Sequence, residues 1–162
     1  MNDQIGTVHQ DASALGPADR ALLEAATDSQ QLAYAPYSRF VVGAALRTSA
    51  GHIVQGANQE NASYSLCICG ERVALFNKAI HYPGEAVDTL AICVSSQQGP
   101  DIPAPPCGAC LQVINEFEYR QQAPIRILLK GDGPVVYEIE SVQKLMPLNF
   151  DRSYLDRSSP PG

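Results

Sequence analysis

The sequence predicts an α/β protein, a three-layer α/β/α sandwich around a mixed sheet of about five strands. Three observations carry this expectation. Segments of helical period alternate with short, strand-like apolar runs. One of those runs, "TLAICVS" at 89–95, is apolar almost throughout, as in a strand covered on both faces. The chain has 162 residues, 45% of them hydrophobic, enough to close one full core without cross-links.

The elements follow in order. Residues 1–15 read as a loose polar leader, 16–150 as one domain and 151–162 as a tail. Pro17 sits where a first helical turn tolerates it. Leu22, Leu23, Ala26 and Leu32 suit a helix, and Pro36 stops it. "FVVGAALRT" reads as a strand, "SAGH" as a turn and "IVQGAN" as the partner strand. A helix is expected over 69–80, its apolar face marked by Val73, Phe76 and Ile80. After the buried strand comes a Pro-rich loop, "QQGPDIPAPP". A helix then begins near Cys107, with Cys110, Val113, Ile114 and Phe117 on one face. "PIRILLK", "GDG" and "PVVYEIE" read as a strand pair, and "SVQKLMP" as a short helix capped by Ser141.

Composition narrows the function. Seventeen acids against eleven bases leave a net charge of −6, with no basic cluster. That argues against a nucleic-acid partner, which needs concentrated Lys and Arg. No apolar run approaches the ~20 residues of a membrane span. The N-terminus lacks the basic start and apolar middle of a signal peptide, so a cytoplasmic protein is expected. The five cysteines are odd in number, which disfavours a disulfide framework and favours metal or thiol chemistry. Cys93, within "LAICVS", reads as a packed core thiol.

The chemistry gathers in two clusters, "CICGERVAL" at 67–75 and "APPCGACLQ" at 104–112. Cys107 and Cys110 are three apart at a helix start and so share a side. Free N–H groups and the positive end of the helix dipole favour thiolate there. Cys69 begins the other helix in the same way. Three thiolates can hold one zinc ion and leave a tetrahedral position open, the arrangement of a catalytic site. Zinc lowers the pKa of bound water to about 7, and Glu71 could move its protons. That requires the helix to begin at Cys69, because a two-residue spacing inside a helix points to opposite faces. Arg72 would offset the negative charge of three thiolates. Other readings stay open at this level: a redox Cys-x-x-Cys, a four-cysteine structural site that includes Cys67, or core cysteines without metal.

The two clusters together resemble the zinc-dependent cytidine deaminase family. "CGE" at 69–71 and "PCGAC" at 106–110 fit the general signature of Cys or His, any residue, Glu, then Pro-Cys-x-x-Cys. The resemblance implies Zn2+, one ion per subunit, held by Cys69, Cys107 and Cys110, with Glu71 as general acid and base. It extends over roughly residues 17–150 through three further motifs. "AYAPYSRFVVGAAL" at 33–46 looks like the family's first strand, which implies that Phe40 packs near the pyrimidine; by itself Phe40 would read equally as a core aromatic. "GANQENASY" at 56–64 is similar to its ribose-binding loop, which implies that Asn58 and Glu60 hold the sugar; alone they would read as turn formers. "LMPLNF" at 145–150 is similar to its C-terminal stretch, which implies that Phe150 serves a neighbouring subunit's site. The short three-cysteine chain resembles the homotetrameric branch.

The resemblance therefore implies hydrolytic deamination of cytidine and 2′-deoxycytidine to the uridine forms in pyrimidine salvage. No Gly-rich phosphate loop is present, in keeping with a neutral nucleoside. Rival readings are a relative acting on another aminopyrimidine or antibiotic, and a non-catalytic zinc-binding module. Asn58 with Glu60 argues against the first and Glu71 against the second. Two positions depart from the usual pattern: Gly70 stands where Ala is common, and Leu111 where Arg is common. The first is expected to free the helix start or make room there. The second removes a positive charge beside the thiolates and is expected to make the metal a weaker Lewis acid.

Overall fold

A computed structural model describes residues 4–96 and 102–155. Parts of three expected segments fall outside it: 1–3 of the leader, 97–101 of the Pro-rich loop and 156–162 of the tail.

The chain runs β1 (Thr7–His9), α1 (Pro17–Ser29), β2 (Phe40–Thr48), β3 (Ile53–Ala57), α2 (Gly70–His81), β4 (Val87–Ser96), α3 (Gly108–Gln121), β5 (Arg126–Lys130) and β6 (Val136–Ile139). The strands form one sheet in the order β1-β6-β5-β4-β2-β3. Only β4 and β5 are parallel, with Ala91 opposite Leu128, and α3 makes the crossover that parallel neighbours need. The β2–β3 hairpin pairs Ala45 with Gln55, and β2 also pairs with β4, Ala45 opposite Ala91.

Strand alternation explains why the central runs are apolar throughout. Val42, Ala44, Leu46, Leu90, Ile92, Ile127 and Leu129 point to one face, where Ala74, Leu75, Ile114 and Phe117 of α2 and α3 cover them. Ala45, Ala91, Cys93 and Leu128 point to the other, against Leu22, Leu23 and Ala26 of α1. Three layers result, and Cys93 is a buried core thiol.

The sheet has six strands, in keeping with the about five expected; Thr7–His9 of the leader supplies the sixth, pairing antiparallel with β6. A three-residue polar edge strand has no periodicity to announce it. Three expectations need correction. The first helix ends at Ser29 rather than running to Pro36, and a 3-10 turn over Gln30–Leu32 follows, with Leu32 exposed. In α2 the supposed core stripe turns outward: Phe76 is 43% and Ile80 73% exposed, while Gly70, Glu71, Ala74, Leu75 and Lys78 are buried. Small residues face the sheet there because the helix crosses β3 at close range. Finally, the short helix after Ser141 is a single 3-10 turn, Val142–Lys144, with the Ser141 hydroxyl accepting from the Gln143 N–H.

Close range is set by two glycines. A Cβ on Gly56 would stand 2.5 Å from the Gly70 carbonyl oxygen, and a Cβ on Gly70 would stand 2.9 Å from the Val42 carbonyl oxygen. Neither approach leaves room for a methyl group, so the first turn of α2 lies directly on β2 and β3.

Candidate metal centre and active site

Both α2 and α3 start at the end of the sheet where β4 finishes and β2 begins, and each begins on a cysteine. Cys69 is the N-cap of α2 and Cys107 the N-cap of α3, each with extended backbone angles. Neither side chain caps its helix by hydrogen bonding, so both sulfurs remain free to turn toward each other. Cys110, one turn into α3, is buried beneath them. The Sγ atoms of Cys69 and Cys107 lie 3.7 Å apart, and those of Cys107 and Cys110 3.5 Å. All three fall within 4.8 Å of one another.

These separations fit a zinc ion. A tetrahedron with Zn–S bonds of ~2.3 Å has S···S edges of about 3.8 Å. Cys69 and Cys110 shift in opposite directions. The hydrogen bond from Cys110 is foremost in lowering Cys69 to about 5, and the same contact pushes Cys110 upward. Burial works against the Arg72 charge, but the Cys110 and Cys69 sulfurs beside it outweigh burial and raise its pKa. Arg72 Nη2 donates to the Cys67 carbonyl at 3.2 Å, while its buried Nε has no partner. Cys67 stands apart from the cluster: its sulfur accepts from the Asn61 N–H at 3.3 Å.

Because α2 begins immediately after Cys69, Glu71 lies in the first turn and points inward. It is 4% exposed, and among the described residues its Oε2 has no hydrogen-bond partner. Burial raises its pKa above the usual carboxylate range, and the Cys69 charge adds to the effect. A buried carboxylate oxygen without a partner costs stability. It faces a cavity of about 300 Å³ that Cys69 and Cys107 also line.

The cavity brings together most of the other expected residues. Its apolar side is Phe40, Val42, Ile92 and Val94, and its polar side is Asn58 and Glu60 with Ser38. Residues 58–60 are pinned between two chain segments: Tyr34 N–H donates to the Asn58 carbonyl, and Gln59 exchanges backbone bonds with Ile68 at 2.9 and 3.0 Å. Asn58 bridges β2, accepting from Val42 N–H and donating to the Phe40 carbonyl, both at 2.9 Å. Glu60 accepts from the N–H groups of Tyr37 (2.8 Å) and Ser38 (3.3 Å), and the Ser38 side chain is foremost in lowering its pKa, with these backbone bonds adding to it. Arg39 takes a positive φ of 54° just before Phe40 and turns the chain into β2.

Phe150 is not among the residues lining this cavity. Its ring is 56% exposed and stacks on Tyr154, and its carbonyl accepts from Gln112 and Asn115. Sequence reasoning missed Ser38, Cys67, Ala104 and Pro105 as lining residues. Ser38 and Cys67 lay within motifs already singled out; Ala104 and Pro105 carried no chemical signal. Leu111 is half-buried against the core beside α2 and α3.

Three thiols from two helix N-termini, beside a buried free carboxylate at the edge of a mixed sheet, define a zinc-binding α/β protein of the deaminase class. Residues 17–123 match the "Cytidine and deoxycytidylate deaminase zinc-binding region". The cytidine deaminase of Halalkalibacterium halodurans is 46% identical over 80% of this chain and 91% of its own length. A probable cytidine deaminase of Dictyostelium discoideum is 45% identical over 82% of this chain and 84% of its own. The crystal structure of cytidine deaminase from Burkholderia pseudomallei superposes with a TM-score of 0.68 at 42% identity, covering 81% of this chain and 98% of that one. The chain belongs to the zinc-binding cytidine and deoxycytidylate deaminase family.

Proposed function

We propose that the chain deaminates cytidine and 2′-deoxycytidine by hydrolysis, giving the uridine forms and ammonia, as a step of pyrimidine salvage. The observation that carries this reading is Glu71: a buried carboxylate with a free oxygen, facing a nucleoside-sized cavity beside three converging sulfurs. Zinc held by Cys69, Cys107 and Cys110 supplies Lewis acidity that brings water within reach of neutral-pH deprotonation.

The remaining steps belong to the chain. Glu71 takes a proton from the attacking water and carries it to N3 of the ring as C4 is attacked. It then takes the proton of the new C4 hydroxyl and gives it to the amine as the C4–N bond breaks, leaving the C4 carbonyl and ammonia. Its burial keeps the carboxyl basic enough to alternate between the two states. Phe40, Val42, Ile92 and Val94 form an apolar slot for the base. Asn58 and Glu60 hold the sugar at the polar end, already fixed by their backbone bonds. Arg72 balances the thiolate charge.

The partner in this reading is a neutral nucleoside, not a nucleic acid or a membrane. The exposed apolar residues Phe76, Ile80, Leu148 and Phe150 support a homotetramer in which Phe150 closes a neighbouring subunit's site. Among the described residues no helix is long and apolar enough to cross a membrane, and a cytoplasmic location is part of this proposal.

Turnover of cytidine is measured for the parent and for Glu71→Ala at equal zinc content. The parent forms uridine, and the variant keeps its zinc while losing at least ~100-fold in kcat. A parent inert on both nucleosides with zinc bound would overturn the reading.

A further inference from the structure

Residues 145–150 belong to no helix or strand, so side chains rather than a backbone ladder hold them in place. Those side chains come from α3. Gln112, Asn115 and Glu118 are spaced three apart, so each neighbours the next along the helix. Glu118 accepts from the Ser141 hydroxyl at 2.8 Å and from the Val142 N–H at 3.0 Å. Asn115 Nδ2 and Gln112 Nε2 both donate to the Phe150 carbonyl, at 3.2 and 2.8 Å. Asn115 Oδ1 accepts from Gln143 Nε2 at 2.7 Å, and Gln143 in turn accepts from the Asn149 amide. The three α3 residues thus clasp the chain at both ends of 141–150.

Asn115 is the central member and is only 2% exposed. A buried amide is tolerated where its groups are bonded, and both partners of Asn115 lie in this segment. It is not among the residues lining the Glu71 cavity of its own chain, and it stands five residues along α3 from Cys110, or about 7.5 Å.

The ring of Phe150 is held differently from its backbone. Two amides fix the carbonyl, while the ring is 56% exposed and stacks on Tyr154 at 5.8 Å. A fixed backbone beneath an exposed ring sets the Cα–Cβ direction before any partner arrives, so less freedom is lost on contact.

We propose that Asn115, assisted by Gln112, is a positioning residue: by holding the Phe150 carbonyl it aims the ring at the neighbouring subunit's site. The inference rests on Phe150 closing that site. Asn115 itself touches neither substrate nor metal.

The test is steady-state cytidine kinetics on the zinc-loaded protein with Gln112→Met, Asn115→Leu and Phe150→Ala, alone and in pairs with Phe150→Ala. Loss of either bond should raise KM about fivefold, with kcat within about twofold of the parent and zinc retained. In the Phe150→Ala background neither substitution should raise KM further, because the group it aims is gone. A parental KM in Phe150→Ala overturns the role of Phe150 and this inference with it. A raised KM in Phe150→Ala but not in Gln112→Met or Asn115→Leu overturns this inference alone, as does a rise that persists in the double variants. Gln112 is half-buried, so Gln112→Met decides alone if Asn115→Leu fails to fold.

Discussion

The carbonyl oxygen of Val42 lies 2.9 Å from the position a Cβ on Gly70 would take. Gly70 therefore fixes how deeply the start of α2, and with it Cys69 and Glu71, is seated on the sheet. Gly70→Ala must lift that turn or displace β2. An added methyl in a packed site costs about 1–3 kcal/mol, only partly offset by alanine's better helix propensity. The expected outcome is a lower melting temperature and roughly tenfold lower kcat at equal zinc content, with a smaller change in KM. A variant with parental kcat would mean that the contact relaxes without moving Glu71.

The sulfur geometry divides the cysteines. Cys69, Cys107 and Cys110 converge within 4.8 Å, and Cys67 instead bonds Asn61. Cys110→Ser should weaken zinc affinity by about 100-fold or more and abolish turnover. Cys67→Ser should retain one zinc per chain. Zinc titration with a competing chelator checks both, and loss of zinc in Cys67→Ser would count against a three-cysteine site.

The leader strand is tied down by charge. Glu138 of β6 accepts from Arg126 at 2.8 Å and lies 2.7 Å from the His9 ring of β1. Burial opposes ionisation of Glu138, but the bonds from Arg126 and His9 prevail and hold its pKa below the usual value. A depressed folded pKa means stability that is fully present above the unfolded glutamate pKa of ~4.3 and lost as pH falls through the folded value. Glu138→Gln should flatten the acid limb of the stability curve by about 1 kcal/mol or less, given partial exposure. It should also speed amide exchange at Thr7–His9. Identical pH curves for parent and variant would remove Glu138 as the source.

The Phe150 ring is exposed and stacks on Tyr154, while its backbone carbonyl is held by Gln112 and Asn115. If it completes a neighbour's site, Phe150→Ala should raise KM for cytidine by about tenfold, while the melting of the chain changes by less than ~0.5 kcal/mol. A variant with unchanged KM would exclude the ring from substrate contact.

Much of the site was legible because its signals are local. Cys107 and Cys110 share a helix side by spacing alone, and α2 does start at Cys69, as a role for Glu71 requires. Asn58 and Glu60 were singled out through a motif, and both line the cavity. Ala104 and Pro105 were not, since a lining residue without reactive groups leaves no mark until the chain is folded.

By itself the sequence determined five strands, the starts of the three helices and the chemical inventory of the site. Periodicity, turn residues and capping positions act over a few residues and need no partner. Tertiary structure alone decided the rest. It recruited Thr7–His9 as a sixth strand, because an edge strand is defined by its neighbour β6 and not by its own polar residues. It turned Phe76 and Ile80 outward, because the close approach of Gly56 and Gly70 leaves space only for Ala74 and Leu75 against the sheet. And it set Cys69 within 3.7 Å of Cys107, thirty-eight residues on, because two helices rest on the same edge of one sheet.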